Sequence, residues 1–267
     1  MKRDLAGSRI LITGASSGIG RSLAEQLAAK GARVAASARS GAKLTELADA
    51  LNARGGDVLP LQADVTVEAD RQRLLDRVVD FFGGLDVLIN NAGVASWGHF
   101  ADSTEEILRQ VMEVNFFAPA ELIRRAIPIL VDGRQPAVVN IGSMCGRRGM
   151  PAWTEYSASK HALSGLTEAL RGELARFDID ILIMQPGLTR SDFSHHFLRN
   201  EGRMPIDFSA GMPPETVAAD IIRAIERNRT ETVLGSDARW FLRFQRFFPR
   251  LLDRLIARRV RKLYETS

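Results

Sequence analysis

Hydrophobic residues along this chain gather in short continuous blocks: RILITGA, RVAASA, DVLPLQADV and LDVLIN, then AVVNIGS, DIDILIMQP and TVLG. Between them lie longer segments whose apolar positions recur every three or four residues, such as GRSLAEQLAAKG, AKLTELADALNARGG and EADRQRLLDRVVDFFGG, with further stretches at 103–130, 153–177 and 213–228. A brief, unbroken apolar run suits a strand covered on both faces, whereas the 3.6-residue period marks an amphipathic helix. Their alternation predicts an α/β chain with a parallel sheet of about seven strands and helices on both faces. No linker, low-complexity segment or repeat interrupts the pattern, so one domain is expected over 1–236, followed by an extension over 237–267.

That extension, DARWFLRFQRFFPRLLDRLIARRVRKLYETS, has its own pattern. Pro249 is poorly tolerated inside a helix but suits a first turn, so two helices are expected to meet near Phe248. In the first, Trp240, Phe241, Phe244, Phe247 and Phe248 fall on one side and Arg239, Arg243 and Arg246 on the other. In the second, Leu251, Leu252, Leu255 and Ile256 oppose Arg250, Arg254 and Arg261. Such an apolar stripe needs cover from the protein's own body, a sister subunit or a membrane interface.

With 267 residues and 45% hydrophobic content the chain can bury a sizeable core. Its net charge of +4 is unevenly placed. From Ala238 onward nine Lys/Arg face two acids, a balance of +7 that leaves the remainder at −3. The body therefore lacks the broad basic face of a nucleic-acid binder. The single cysteine, Cys145, forms no internal disulfide, and a reducing, cytoplasmic setting is expected. The N-terminal residues show no signal-peptide pattern, and no window reaches the ~18 apolar residues of a membrane-spanning helix.

The chemistry-bearing positions cluster at strand ends. Thr13-Gly-Ala-Ser-Ser-Gly18-Ile-Gly20 follows the first strand and opens the first helix, where glycines let the backbone approach a pyrophosphate. A plain glycine-rich turn would explain the motif alone, and its position after the first strand favours a nucleotide. The second strand ends at Ala38 with no acid to hold a ribose diol, and Arg39 follows, which favours NADP(H) over NAD. Asp64-Val65 closes the third strand, suited to an adenine amino group, and Asn90-Asn91-Ala92-Gly93 closes the fourth, although either could be turn chemistry. The fifth ends at Ser143. Thirteen residues later Tyr156 and Lys160 lie one helical turn apart, roughly 5–6 Å between Cβ atoms, so that an ammonium can stabilise a phenolate. Such a pair alone could simply share a helix face. Cys145 reads as a loop-filling thiol, and His195 and His196, with no metal-ligand partners, as part of a mobile flap.

Taken in order, TGASSGIG, NNAG, the Asn of EVNFF, the Ser of NIGS, YSASK and QPGLT resemble the short-chain dehydrogenase/reductase family over about residues 8–235. The resemblance implies a Rossmann-type, doubly wound sheet of seven parallel strands and a Ser-Tyr-Lys-Asn tetrad carried by Ser143, Tyr156, Lys160 and Asn115. By that resemblance Ser143 holds the substrate carbonyl oxygen and Tyr156 passes it a proton. Lys160 also binds the nicotinamide ribose, Asn115 positions a water, and Thr189, after Pro186-Gly187, meets the carboxamide. The implied cofactor-binding set is Gly14, Ser16, Ser17, Gly18, Ile19, Gly20, Arg39, Asp64, Val65, Asn91, Ala92, Gly93, Tyr156, Lys160, Pro186, Gly187 and Thr189. Ser17 departs from the basic residue that many NADP-using relatives carry there, so the cofactor reading rests on Arg39.

The expected function is hydride transfer between NADP(H) and a carbonyl or hydroxyl carbon. Phe193, Phe197, Met204, Phe208 and Met212, between Leu188 and Met212, make the expected pocket apolar, which points to a lipophilic substrate. A nucleotide-binding regulatory or scaffold protein of the same fold is the alternative, and the complete tetrad weighs against it. The expected partners are that small molecule, a peripheral membrane contact through the tail, and further copies in a homodimer or homotetramer, with no nucleic acid.

Overall fold

The computed structural model describes residues 2–190, 193, 197–204 and 206–265, with only the backbone at Tyr264. Its elements run β1 (Arg9–Thr13), α1 (Gly18–Ala29), β2 (Arg33–Ala38), α2 (Gly41–Asn52), β3 (Asp57–Gln62), α3 (Glu68–Phe82), β4 (Val87–Asn90) and β5 (Ser96–Trp97). They continue with α4 (Glu105–Met112), α5 (Ala118–Leu130), β6 (Ala137–Ile141), α6 (Thr154–Glu173), β7 (Asp180–Pro186), β8 (Arg199–Asn200), α7 (Pro214–Glu226), β9 (Glu231–Leu234), α8 (Ser236–Phe247) and α9 (Pro249–Glu265). Seven strands form one parallel sheet in the order β3-β2-β1-β4-β6-β7-β9. The expected doubly wound, Rossmann-type architecture is therefore present.

Successive residues of one strand serve opposite faces. Ile10 and Ile12 join Leu23, Leu27, Leu44, Ile221 and Ile225 beneath α1, α2 and α7. Leu11 instead joins Leu74, Val78, Leu122 and Ala126 beneath α3 and α5. Because both faces are covered, an apolar residue at every position is favourable, which is why the strands read as continuous blocks. Some of the polar side chains buried within this frame are paired to each other: Asn90 donates to Asn140 at 2.9 Å, and Asn140 donates to Thr167 at 2.9 Å.

Two features were not predicted. The stretch 103–130 is not one α-helix, since Glu113–Phe117 winds as a π-helical segment between α4 and α5. A small parallel pair, β5 with β8, ties Ser96-Trp97 to Arg199-Asn200 outside the main sheet. The two tail helices break at Phe248–Pro249 as expected.

Candidate active site

All strands of the main sheet point the same way, so Thr13, Ala38, Asn90, Ile141 and Pro186 finish along one edge. The order reverses between β1 and β4, which opens a crevice outside their carboxyl ends. The chain leaves β1 through Gly14 (φ 68°) and Gly18 (φ 53°). A Cβ at Gly14 would lie 2.8 Å from Ala92 Cα, and one at Gly20 would strike the Gly14 carbonyl. Asn91 holds this turn by donating to the Thr13 and Gly14 carbonyls at 3.0 Å, while Thr13 Oγ1 accepts the N–H groups of Asn91 and Ala92 at 3.1 Å. Ser17 is the N-cap of α1 but makes no side-chain cap bond, so the first-turn N–H groups of the helix are available to a phosphate. Ser16 is half-buried in the turn, and Ile19 packs partly on the core below. This cradle fits a dinucleotide pyrophosphate.

At the adenosine end, exposed Arg39 borders a recess of about 350 Å³ with Gln62, Ala63, Asp64, Asp70 and Arg73. Asp64 commits one carboxylate oxygen to the N–H and hydroxyl of Thr66. The Val65 carbonyl accepts from Arg71 at 2.7 Å. Arg73, which sequence reasoning missed, is paired with Asp70 at 2.8 Å.

The four tetrad candidates converge at the β4, β6 and α6 junction. Tyr156 and Lys160 are both buried on α6, and Lys160 Nζ donates to the Ile141 carbonyl at 2.9 Å, 5.7 Å from the Tyr156 ring centroid. Asn115 lies in the π-helical segment, where it donates to the Val94 carbonyl at 2.9 Å and to Ser159 Oγ at 3.0 Å. Ser159 donates in turn to the Tyr156 carbonyl at 2.8 Å, so Asn115 ties the loop after β4 to the helix of Tyr156. Gly93 fits closely between, since a Cβ there would lie 3.2 Å from Asn115 Oδ1. Ser143 Oγ accepts the Cys145 N–H at 3.1 Å, and the Ser143 N–H donates to Gln185 at 2.8 Å. Gln185, wholly buried and also bonded to Ser164 on α6, is a positioning residue that motif reading passed over despite its place beside Pro186-Gly187.

Burial governs the electrostatics of the Tyr156–Lys160 pair. Burial raises the Tyr156 phenol above its ordinary value, the Cys145 thiol adds to this, and nearby Ser143 opposes it. Burial also brings the Lys160 ammonium down to about 8, partly offset by Cys145. Desolvation is the largest influence on both groups, and the Lys160 ammonium is directed at the Ile141 carbonyl. Burial likewise raises the Cys145 thiol, consistent with its reading as an inert filler.

Aromatic rings surround the phenol. Trp153 meets Tyr156 at 5.6 Å between centroids and Phe197 at 5.3 Å, Phe193 lies 6.0 Å from Tyr156, and Trp97 stacks on Trp153 at 6.3 Å. Phe208 closes the group 5.9 Å from Phe197. Phe193, Phe197 and Phe208 had been expected, whereas Trp97 and Trp153 were not. Met204 is half-buried, and Met212 packs instead against the core, beside Gly235. Thr189 bonds to the Gly187 carbonyl at 3.3 Å and bridges to Met212, while Pro186 is buried at the end of β7. Glu155, adjacent to Tyr156, is wholly buried, and neither carboxyl oxygen has a hydrogen-bond partner among the described residues. His195 and His196 lie outside the described residues.

The short chain dehydrogenase family model matches residues 8–202. The chain belongs to this family. It is 35% identical over 258 residues to an uncharacterized oxidoreductase, YxnA, of Bacillus subtilis, covering 95% of this chain and 72% of the relative. Among solved structures, a short-chain dehydrogenase/reductase from Burkholderia phymatum in complex with NAD superposes with a TM-score of 0.85 at 26% identity, over 94% of this chain and 96% of that one. A short chain dehydrogenase from Burkholderia cenocepacia in complex with NADP gives 0.78 at 29% identity, over 89% and 100%. This short-chain dehydrogenase is thus an oxidoreductase, and its structural neighbours hold NAD in one case and NADP in the other.

Proposed function

We propose that the chain is an NADP(H)-dependent reductase of lipophilic carbonyl compounds, acting through Ser143, Tyr156, Lys160 and Asn115. The observation that carries this reading is the buried phenol of Tyr156, enclosed by aromatic rings, with Ser143 beside it and Lys160 Nζ 5.7 Å from its ring centroid. A bound nicotinamide supplies the hydride. Ser143 Oγ donates to the substrate carbonyl oxygen and holds it near the phenol, from which Tyr156 transfers its proton as charge builds on that oxygen. Lys160 binds the ribose and keeps a cation close to the phenol as the proton leaves. Asn115 keeps α6 in register with the loop after β4, and its proposed part in the proton relay is to position a water. NADP is favoured because Arg39 follows Ala38 without an acid that would repel a 2′-phosphate, and the rings favour an apolar body next to the carbonyl.

The test is oxidation of NADPH and of NADH across ketones and aldehydes graded in chain length and bulk. Turnover that prefers NADPH, with KM falling as apolar size grows, is expected. Tight NADPH binding without turnover on any carbonyl would support the regulatory alternative.

A further inference from the structure

We infer that the outer face of α8 and α9 is a docking surface for a bilayer rich in anionic lipid. The inference is independent of which carbonyl the site reduces. The two helices carry two apolar faces, and only one is used by the body. Ala238 is buried against Gly187, where a Cβ would come within 2.9 Å of it, Leu252 is buried, and Asp253 on α9 pairs with Arg148 at 2.5 Å. Trp240, Phe244 and Phe247, across α8 from Ala238, and Phe248, Leu251 and Leu255, next to Leu252, are exposed, Trp240 at 69% and Phe247 at 71%. Within α8 and within α9 these residues recur at helical spacing, so they form a stripe pointing away from the core. Along one flank run Arg239, Arg243, Arg246, Arg250 and Arg254, all exposed, with Arg243 lying 5.9 Å from the Trp240 ring centroid.

Charge selects the occupant. Residues 238–267 carry nine Lys/Arg against Asp253 and Glu265, and Asp253 is already engaged by Arg148. A second copy packed antiparallel on this face across a two-fold axis would set the arginine flank against its own equivalent, a like-charge contact that opposes association. A surface of phosphate headgroups satisfies the same arginines while the aromatic and leucine side chains enter the acyl boundary. No helix among the described residues is long and apolar enough to cross a membrane, so the contact is in-plane. Two attachments of the tail are to loops that frame the active site, through Gly187 after β7 and Arg148 after Ser143.

Flotation of the full chain with vesicles of phosphatidylcholine, alone or mixed with phosphatidylglycerol, tests the assignment. Each cation near an anionic surface contributes about fivefold at low salt. At least about tenfold more protein should therefore float with the mixed vesicles at low ionic strength, and most of that excess should vanish at high salt, where screening is within a few ångströms. The Trp240→Glu/Phe247→Glu variant, altered only at exposed positions, should keep its melting temperature and lose flotation. Three results would overturn the assignment: no flotation of the wild type with anionic vesicles at low salt, flotation unchanged in the variant, or a dimer by sedimentation that the variant abolishes while vesicles are ignored.

Discussion

In the proposed mechanism Tyr156 carries the chemistry, and burial raises its phenol above the ordinary value. Tyr156→Phe removes the phenolic proton and little volume, so turnover should fall by about 10²–10⁴-fold while NADPH affinity, measured by fluorescence titration, stays near wild type. Retention of most activity would refute the assignment. Lys160 supplies a pH signature. Its folded value of about 8 lies below the ordinary lysine value, so the cation beside the phenol is present below that pH and lost as pH rises through it. The NADPH-dependent reduction rate is therefore expected to decline above about pH 8, and a flat profile across that range would contradict the role given to Lys160. Arg39 sets cofactor choice in the proposed reading. Converting Ala38 to Asp together with Arg39→Ser should move the ratio of kcat/KM values toward NADH, since the new carboxylate repels a 2′-phosphate and accepts the ribose hydroxyls. A wild type that already prefers NADH in direct competition would remove the basis for that argument.

Between elements, the sheet is fastened at the end away from the site. Asp86, almost fully buried at the start of β4, accepts from the Arg9 backbone at 2.8 Å, from its guanidinium at 2.7 Å and from the Arg134 N–H at 2.6 Å. Burial pushes the carboxyl up, but the Arg9 side chain and the N–H groups of Arg9 and Arg134 outweigh it and hold it below the usual carboxylate range. With the folded value depressed, this contribution is present above the unfolded carboxylate pKa and is lost as pH falls through the folded one. Asp86→Ala should cost about 2–4 kcal/mol in denaturant unfolding, because four N–H donors lose a charged acceptor, while the KM for NADPH changes little. A variant as stable as wild type would show that these bonds only replace equally good ones to water. The helices were legible at this scale, since their 3.6-residue period survives packing. The π-helical segment around Asn115 was not, because one extra residue in a turn leaves the apolar pattern of EVNFF almost unchanged.

For the molecule as a whole, the tail is both a cover and an exposed surface. Deleting residues 236–267 uncovers the side of Gly187 and removes the burial of Ala238 and Leu252 and the Arg148–Asp253 pair. A loss of at least about 2 kcal/mol is expected, lowering Tm by about 4–8 °C for a chain of this size. An unchanged Tm in calorimetry would mean that the tail rests on the body without supporting it. The tail's two helices and its charge are consequences of composition and of Pro249, so the sequence alone determined them. Likewise, continuous apolar blocks dictated a sheet covered on both faces, and the ordered strand-end motifs dictated which residues stand at its carboxyl edge, since both depend on neighbours close in the chain. Tertiary structure alone decided how far those groups are desolvated, and hence that Tyr156 is raised and Lys160 lowered. It also decided that Trp97, brought over by the pairing of β5 with β8, joins Trp153 above the phenol, and that Gln185 holds the Ser143 backbone. Which half of the tail's apolar surface the body covers was decided there too. These properties depend on residues far apart in sequence arriving at one place, and no local pattern records the dielectric or the contacts they create on arrival.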